Sequence, residues 1–235
     1  MNVTNKPILF SGEMIRALLD GRKTQTRRVV KEYTIIRLSD RHGFATAGAR
    51  HLSEKETPGY IYAETKEHQS IIGIPCPYGK PGDLLWVREA MCWHNDWLCY
   101  NADKTPIENM KCDKNFRGTV MPSIFMPKIY SRITLLIKDI RVERVQDISE
   151  QDAKFEGATL FNDIPMIRSS ARPPRWSMEN PHNTDQCLSS PYYAFANYWI
   201  KLNGQESWDS NPFVWVIEFE VIKQNIDKYL EKRDQ

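Results

Sequence analysis

The sequence predicts an α+β fold, in which a small mixed sheet or barrel packs with a few helices and carries insertions. Strand and helix patterns interleave along the 235 residues without the regular βαβ rhythm of a parallel sheet. Neither a G-x-G-x-x-G nor a Walker motif is present. We expect one domain over residues 1–222, with insertions near 33–74, 93–128 and 159–190, followed by a charged, peripheral helical tail over 223–235.

The chain begins with a strand pattern and a short helix pattern. Residues 6–11 are apolar behind a proline, which is typical of a strand. From Gly12 to Leu19, apolar side chains recur at spacings of three and four, which predicts an amphipathic helix. Ser11 is suited to cap the start of this helix, and Gly21 is suited to end it in a left-handed conformation.

The middle of the chain alternates strand patterns with irregular stretches. Residues 60–63 look like an edge strand of the first insertion. Turn residues are dense over 75–83, and the apolar, β-favouring run 84–89 after them predicts a central strand. Residues 93–128 show no periodicity, whereas 129–144 carries enough β-branched residues for one long strand or two.

The last third of the chain contains two further helix patterns and the clearest strand. Asp147 or Ser149 is suited to cap a helix that Gly157 ends. Residues 161–190 are rich in proline, asparagine, serine and arginine, which indicates a surface loop or lid. Helical spacing over 192–202 predicts another helix, and Phe213–Ile222 alternates as a strand does.

The composition indicates a globular protein without a preferred class of partner. Hydrophobic residues make up 41% of the chain and charged residues 26%. Because the formal net charge is only +2, any affinity for nucleic acid must come from a local patch. No apolar run approaches the roughly 20 residues that cross a bilayer, and no signal peptide is recognisable, so we expect a cytoplasmic protein with no membrane partner.

The cysteines indicate reduced thiols rather than a metal site or disulfides. The five are Cys76, Cys92, Cys99, Cys112 and Cys187. No C-x-x-C pair occurs, and the spacing of the first three and of His94 matches no standard zinc pattern. We therefore predict no metal and no cofactor.

The most distinctive stretch covers residues 21–31, GRKTQTRRVVK, which contains no acid. Its five cations are Arg22, Lys23, Arg27, Arg28 and Lys31. Ionised groups buried without partners are costly, so we expect this run to face water or an anionic partner. A tight turn here would bring Lys23 and Thr26 together, whereas a strand would send alternate residues to opposite faces. One face of that strand would carry Lys23, Gln25 and Arg27, and the other face would carry Thr24, Thr26 and Arg28.

Glu156 is the one acid that the local pattern does not explain. It lies in the last turn of the helix that Gly157 ends, where the helix dipole disfavours negative charge. We therefore expect Glu156 to have an electrostatic partner or a raised pKa.

Four segments, in this order, resemble the ASCH branch of the PUA-like superfamily. They are GRKTQTRRV after a helix, PGDLLWVRE, the helix ISEQDAKFEGA and the closing strand WVIEFEVI. The insertions are similar to those of phage and prophage members, and the resemblance covers about half of the chain. It implies a β-barrel-like fold of RNA-binding ancestry, and the small bacterial members that the chain resembles hydrolyse N4-acetylcytidine to cytidine and acetate.

The resemblance also implies three catalytic residues. The family motif G-x-K-x-x-T matches Lys23 and Thr26, and the glutamate of the family's helix matches Glu156. Thr26 would attack the acetyl carbon, Lys23 would accept its proton, and Glu156 would bind the cytosine edge and help to protonate the leaving nitrogen. Neighbouring arginines in a part-buried pocket would lower the pKa of Lys23. Backbone N–H groups of the turn over 21–26 are candidate oxyanion donors.

Seven further residues complete the predicted substrate site. They are Arg22, Thr24, Arg27, Arg28, Trp86, Arg88 and Glu89. The paired arginines are more cationic than a free nucleoside requires, which favours a phosphate-bearing substrate.

Three functions are compatible with these observations. The first is an amidohydrolase acting on acylated cytidine or a related modified nucleoside or nucleotide. The second is a non-catalytic module that binds RNA or DNA in the same basic cleft, with Trp86, Tyr78 or Trp93 stacking on bases. The third is a phage accessory protein that binds a host protein or a nucleotide signal through residues 161–190.

Overall fold

The structure is a computed structural model of the chain. It describes residues 4–30, 60–64, 71–94, 97–111, 120–163 and 175–233. Lys31, Cys112, most of the first insertion and the middle of the 161–190 segment lie outside the described residues.

The described residues form five α-helices and thirteen strands, which confirms the α+β class. The helices are α1 (Gly12–Leu19), α2 (Glu150–Phe155), α3 (Pro191–Asn203), α4 (Gln205–Asp209) and α5 (Ile226–Arg233). The strands are β1 (Asn5–Leu9), β2 (Gln25–Val29), β3 (Tyr60–Glu64), β4 (Ile71–Pro75), β5 (Leu84–Arg88), β6 (Met91–His94), β7 (Trp97–Tyr100), β8 (Pro106–Lys111), β9 (Val120–Met121), β10 (Thr134–Arg144), β11 (Thr159–Leu160), β12 (Trp176–Ser177) and β13 (Phe213–Ile222).

A five-stranded sheet in the order β1-β5-β10-β13-β2 organises the fold. β1 runs parallel to β5, and the other pairs are antiparallel. The described strands do not close into a barrel, because β1 and β2 stand at the two ends of this order. The sheet curls nevertheless, since Nη2 of Arg28 on β2 donates a hydrogen bond to the carbonyl of Leu9 on β1 over 2.5 Å. The two edges thus approach each other beside α1.

The core lies on both faces of this sheet, as β13 shows. Its residues Trp215, Ile217 and Phe219 join a cluster with α1 and the neighbouring strands. The alternate residues Val214 and Val216 join a second cluster with α2 and α3. A strand buried on both faces is almost continuously apolar, which explains the sequence FVWVIEFEVI.

Residues 93–128 differ from the prediction of an irregular insertion. β6, β7, β8 and β9 form a second sheet in the order β8-β7-β6-β9. Its own apolar cluster consists of Met91, Leu98, Tyr100, Ile107 and Met126. β9 has only two residues, and β8 begins with a proline and mixes polar with apolar residues, so neither shows a recognisable strand pattern.

Two other boundaries also differ from the prediction. The strand expected over 129–144 begins only at Thr134, because Lys128–Tyr130 forms a 3₁₀ turn. The C-terminal tail is helical as predicted, yet it is not wholly peripheral, since Ile226 is buried against Leu84 and Trp86. The edge strand expected near residue 60 is present as β3, paired with β4.

No helix within the described ranges is long and apolar enough to span a membrane. The four cysteines that the structure describes are all free thiols.

Candidate active site

The cationic run begins as a turn and continues as a strand. Gly21 ends α1 with φ +74°, and the N–H groups of Arg22 and Lys23 both donate to the carbonyl of Ala17. The Thr24 N–H donates to the carbonyl of Phe155, and from Gln25 the chain pairs with β13. These hydrogen bonds correct one expectation, because the N–H groups of residues 21–24 are engaged within the fold and are not free to stabilise an oxyanion.

Lys23 and Glu156 form a buried ion pair. Their side chains are 0% and 2% exposed, and Nζ of Lys23 contacts the Glu156 carboxylate directly. Nζ also donates to the Glu156 carbonyl over 3.0 Å. Glu156 caps the end of α2, and Gly157 then reverses the chain with φ +118°. The electrostatic partner expected for Glu156 is thus present.

Arg27 holds the other oxygen of the same carboxylate. Its Nη1 lies 3.2 Å from Oε1 of Glu156, and its Nη2 lies 2.6 Å from Glu143 and 3.5 Å from Asp152. Gln25 donates to Asp152 over 3.0 Å and so joins this network. Lys23 and Arg27 therefore have the anionic partners that were expected for this run, and these partners are carboxylates of the protein itself.

This environment changes the acidity of Lys23. Burial lowers the pKa of its ammonium, and the attraction of Glu156 opposes that shift. The positive charges of Arg28 and Arg27 lower the pKa further. A lysine in this position gives up its proton more readily than one in water, which is what a general base requires.

A cavity of about 350 Å³ opens where β2, α1 and α3 meet. Thr26, Arg27, Arg28 and Glu156 line it. Lys23 does not line it and is connected to it through its ion pair with Glu156. Its apolar wall includes Phe10, Met14, Met178, Phe195, Trp199 and Leu202. A few polar groups on a mostly apolar surface of this size are typical of a small-molecule site.

Thr26 is buried in the wall of this cavity. Only 1% of the residue is exposed, and its hydroxyl has no hydrogen-bond partner among the residues that the structure describes. Lys23 donates to Glu156 rather than to Thr26 in this state. A threonine hydroxyl without a structural hydrogen bond remains available to a ligand.

The sequence did not indicate two hydroxyls that also line the cavity. Ser11 Oγ and the Tyr198 hydroxyl lie 2.5 Å apart. Burial raises the pKa of Tyr198 to about 12, and the hydrogen bond with Ser11 opposes that shift only in part, so the phenol is neutral at physiological pH. The helical spacing of the sequence could have identified Tyr198 as a site residue. Tyr198 lies on the same face of α3 as three other lining residues, Phe195, Trp199 and Leu202.

Besides Lys23, the predicted site residues Arg22 and Thr24 of the cationic run also lie away from the cavity lining. Arg22 is half-buried, donates to the Gly157 carbonyl and the Thr159 hydroxyl over 3.1 and 2.8 Å, and pairs with Asp20. Thr24 stands between the turn and β2, where its N–H is bound by α2. Both residues hold the turn in place and do not line the cavity.

The residues predicted on β5 lie away from the cavity as well. Trp86 packs in a core cluster, and the Arg88 guanidinium lies 5.0 Å from its ring while Nε donates to the Met126 carbonyl. Glu89 is buried against Arg132, with 2.7 Å between Oε1 and Nε. Burial raises the pKa of Glu89, and the hydrogen bonds from Arg132 oppose that shift. The strand assignment for β5 was correct, but its side chains pack elsewhere.

Within the described ranges, no group of three or more histidine, cysteine, aspartate or glutamate side chains has the arrangement of a metal site. The chain has no significant match among protein-family models, curated protein sequences or solved structures, so the arrangement of side chains around this cavity is the basis for a functional assignment.

Proposed function

We propose that the protein is an amidohydrolase that removes an acyl group from N4 of cytidine or of a related modified nucleoside or nucleotide, on a PUA-like fold. The observation that carries the proposal is that one nucleoside-sized cavity is lined both by Thr26, from β2, and by Glu156, the ion-pair partner of Lys23. The G-x-K-x-x-T motif and the glutamate that ends α2 supply these groups from segments 130 residues apart.

The reaction needs a nucleophile, a base and a proton for the departing amine. In the proposed reaction, Oγ of Thr26 attacks the acyl carbon and its proton passes to the neutral amine of Lys23. When the C–N bond breaks, the exocyclic nitrogen takes that proton from the Lys23 ammonium and cytidine leaves. Water then hydrolyses the acyl ester of Thr26, which releases the acid and restores the hydroxyl.

Glu156 has two roles in this scheme. Its carboxylate accepts a hydrogen bond from the N4–H of the substrate, which fixes the acyl carbon beside Thr26. It also stabilises the ammonium that forms on Lys23, because the two side chains are in direct contact. Arg27 is a positioning residue, since it holds the second carboxylate oxygen.

The aromatic wall supports a planar ligand. Phe10, Phe195 and Trp199 line the cavity, so a planar, aromatic base would find apolar contacts there. The neutral Tyr198 hydroxyl can donate a hydrogen bond to the acyl oxygen, a role for which the backbone of the turn is not available.

The test is turnover of N4-acetylcytidine followed by mass spectrometry for cytidine and acetate. Thr26→Val removes the hydroxyl at nearly constant volume, and we expect it to abolish turnover with the fold retained. Thr134→Val is the matched control, because Thr134 is an equally buried strand threonine whose hydroxyl is bound to the Gln224 carbonyl. Unchanged turnover in Thr26→Val would reject the proposed nucleophile.

A non-catalytic module that binds RNA or DNA in this cavity is the second candidate. The observation that favours it is that Lys23 is hydrogen-bonded to Glu156 and not to Thr26 in this state. Such a module would show no turnover and would bind oligonucleotides with a steep salt dependence.

A further inference from the structure

We propose that the substrate carries a phosphate ester and that Arg28 is the residue that binds it. The identification of the ligand as a nucleotide rests on the proposed function, whereas the phosphate site itself rests on the surroundings of Arg28.

The two neighbouring arginines of β2 differ in how their charge is compensated. Arg27 lies within ion-pair distance of Glu143, Asp152 and Glu156. Arg28 lines the same cavity, yet none of the described carboxylates lies within ion-pair distance of it. Its positive charge is therefore available to an anionic ligand.

The hydrogen-bonding groups of Arg28 are also incompletely used. Nη2 donates to the Leu9 carbonyl, and the guanidinium lies 5.0 Å from the centroid of the Phe10 ring. Nε is buried and has no hydrogen-bond partner, an unfavourable state for a donor. These contacts hold the plane of the guanidinium at the cavity wall. They leave Nη1, which has no hydrogen-bond partner among the described residues, to donate to a phosphate oxygen.

The position of Arg28 fits the phosphate end of a nucleotide. Thr26 and Arg28 are two residues apart on one strand and both line the cavity, so their backbone positions are separated by about 7 Å. The acyl group on N4 and the phosphate on the ribose are at opposite ends of a nucleotide. An anion site displaced along β2 from the nucleophile therefore suits the phosphate and not the acyl oxygen.

The first measurement is calorimetric binding of cytidine and cytidine 5′-monophosphate, which requires no turnover. We expect the wild type to bind the monophosphate roughly tenfold or more tightly than the nucleoside, as a charge-assisted hydrogen bond would provide. In Arg28→Met, which keeps an apolar stem against Phe10, the ratio should fall to about one. Arg28→Lys keeps the positive charge but lacks the planar guanidinium with its paired N–H donors, so we expect an intermediate ratio of affinities. This conservative variant also provides a folded protein for the measurement if Arg28→Met does not fold.

Arg144→Met is the matched control. The Arg144 guanidinium lies 3.6 Å from the Phe213 ring centroid and donates to the Asn211 carbonyl, so it repeats the contacts of Arg28 outside the cavity. The monophosphate preference should survive this change. An equal loss in Arg144→Met, or a wild type that binds the two ligands equally, would overturn the proposal.

A second arm identifies the source of the phosphate. This arm compares the affinities of a short cytidine-containing RNA and of the monophosphate. If the RNA binds more tightly, and its binding depends on Arg28 in the same way, the site binds a phosphodiester. The reverse order assigns it to a free nucleotide, and both outcomes support a phosphate site.

The outcome for this inference is separable from that for the hydrolase. Arg28-dependent binding of the monophosphate without turnover of any acylated cytidine would reject the hydrolase and keep the phosphate site. Equal kcat/KM for N4-acetylcytidine and its 5′-monophosphate would reject the phosphate site and keep the hydrolase.

Discussion

The Lys23 ammonium and the Glu156 carboxylate form an ion pair that is withdrawn from water, with 0% and 2% of the two side chains exposed. Each charge is costly in such a place without the other. The pair ties the turn after α1 to the end of α2, and it places a titratable base beside the cavity. The stability of the fold and the proposed chemistry therefore depend on the same contact.

Removing one member of this pair should destabilise the protein strongly. Glu156→Gln leaves the Lys23 charge buried and uncompensated, so we expect the free energy of unfolding to fall by about 3–5 kcal/mol. The double variant Lys23→Met with Glu156→Gln should lose about 1–3 kcal/mol less of the free energy of unfolding than the sum of the losses in the two single variants. Chemical denaturation of the four proteins measures this coupling.

The exposed pair Lys138–Glu220 provides the control for that cycle. Its side chains are 53% and 56% exposed, so Lys138→Met with Glu220→Gln should show a coupling of at most about 1 kcal/mol. Equal coupling energies for the two pairs would contradict the role of burial.

The activity should rise with pH as Lys23 loses its proton. Because the neutral amine is the base and burial lowers its pKa, the midpoint of the rise in kcat/KM should lie below the ordinary lysine value of 10.5. Arg28→Met removes a positive charge that lowers the pKa of Lys23, so the rise should move to higher pH. Profiles from about pH 6 to about pH 10 test both statements. A profile that is flat, or that moves to lower pH in the variant, would contradict the assignment of Lys23 as base.

Gly157 controls the position of Glu156. Its φ of +118° is unfavourable for any other residue, and an added Cβ would lie 3.2 Å from Cβ of Ala17. Gly157→Ala should therefore cost about 1–3 kcal/mol of stability and reduce turnover, because the adjacent carboxylate moves. Gly82→Ala is the control, since Gly82 has φ +90° and nothing within 4 Å of the added Cβ. We expect Gly82→Ala to lose stability without losing turnover, in contrast to Gly157→Ala, which should lose both.

Ser11 combines a helix cap with a contact in the cavity. Its Oγ accepts from the Met14 N–H over 3.3 Å and lies 2.5 Å from the Tyr198 hydroxyl. Ser11→Ala should cost about 2 kcal/mol, of which the cap contributes about 1 and the hydrogen bond to Tyr198 about 1. In the Tyr198→Phe background the same change should cost only about 1 kcal/mol. Equal costs in both backgrounds, measured by denaturation, would show that the two hydroxyls are not coupled.

The sequence by itself determined the local structure of the site-bearing segments. Caps and glycines located α1 and the turn at Gly21, because a helix end needs these residues whatever surrounds it. The apolar, β-favouring run over 213–222 located β13, and the helix dipole marked Glu156 as a residue in need of a partner. The short strands of the second sheet carried no such signal.

Only the tertiary structure decided which charges meet. Lys23 and Glu156 are 133 residues apart, and Arg27 reaches Glu143 across 116 residues. A sequence pattern has a period of two or 3.6 residues, so it describes which face a side chain occupies and not what lies opposite. For this reason the sequence could not distinguish Arg27, which the protein's own carboxylates neutralise, from Arg28, which remains available at the cavity.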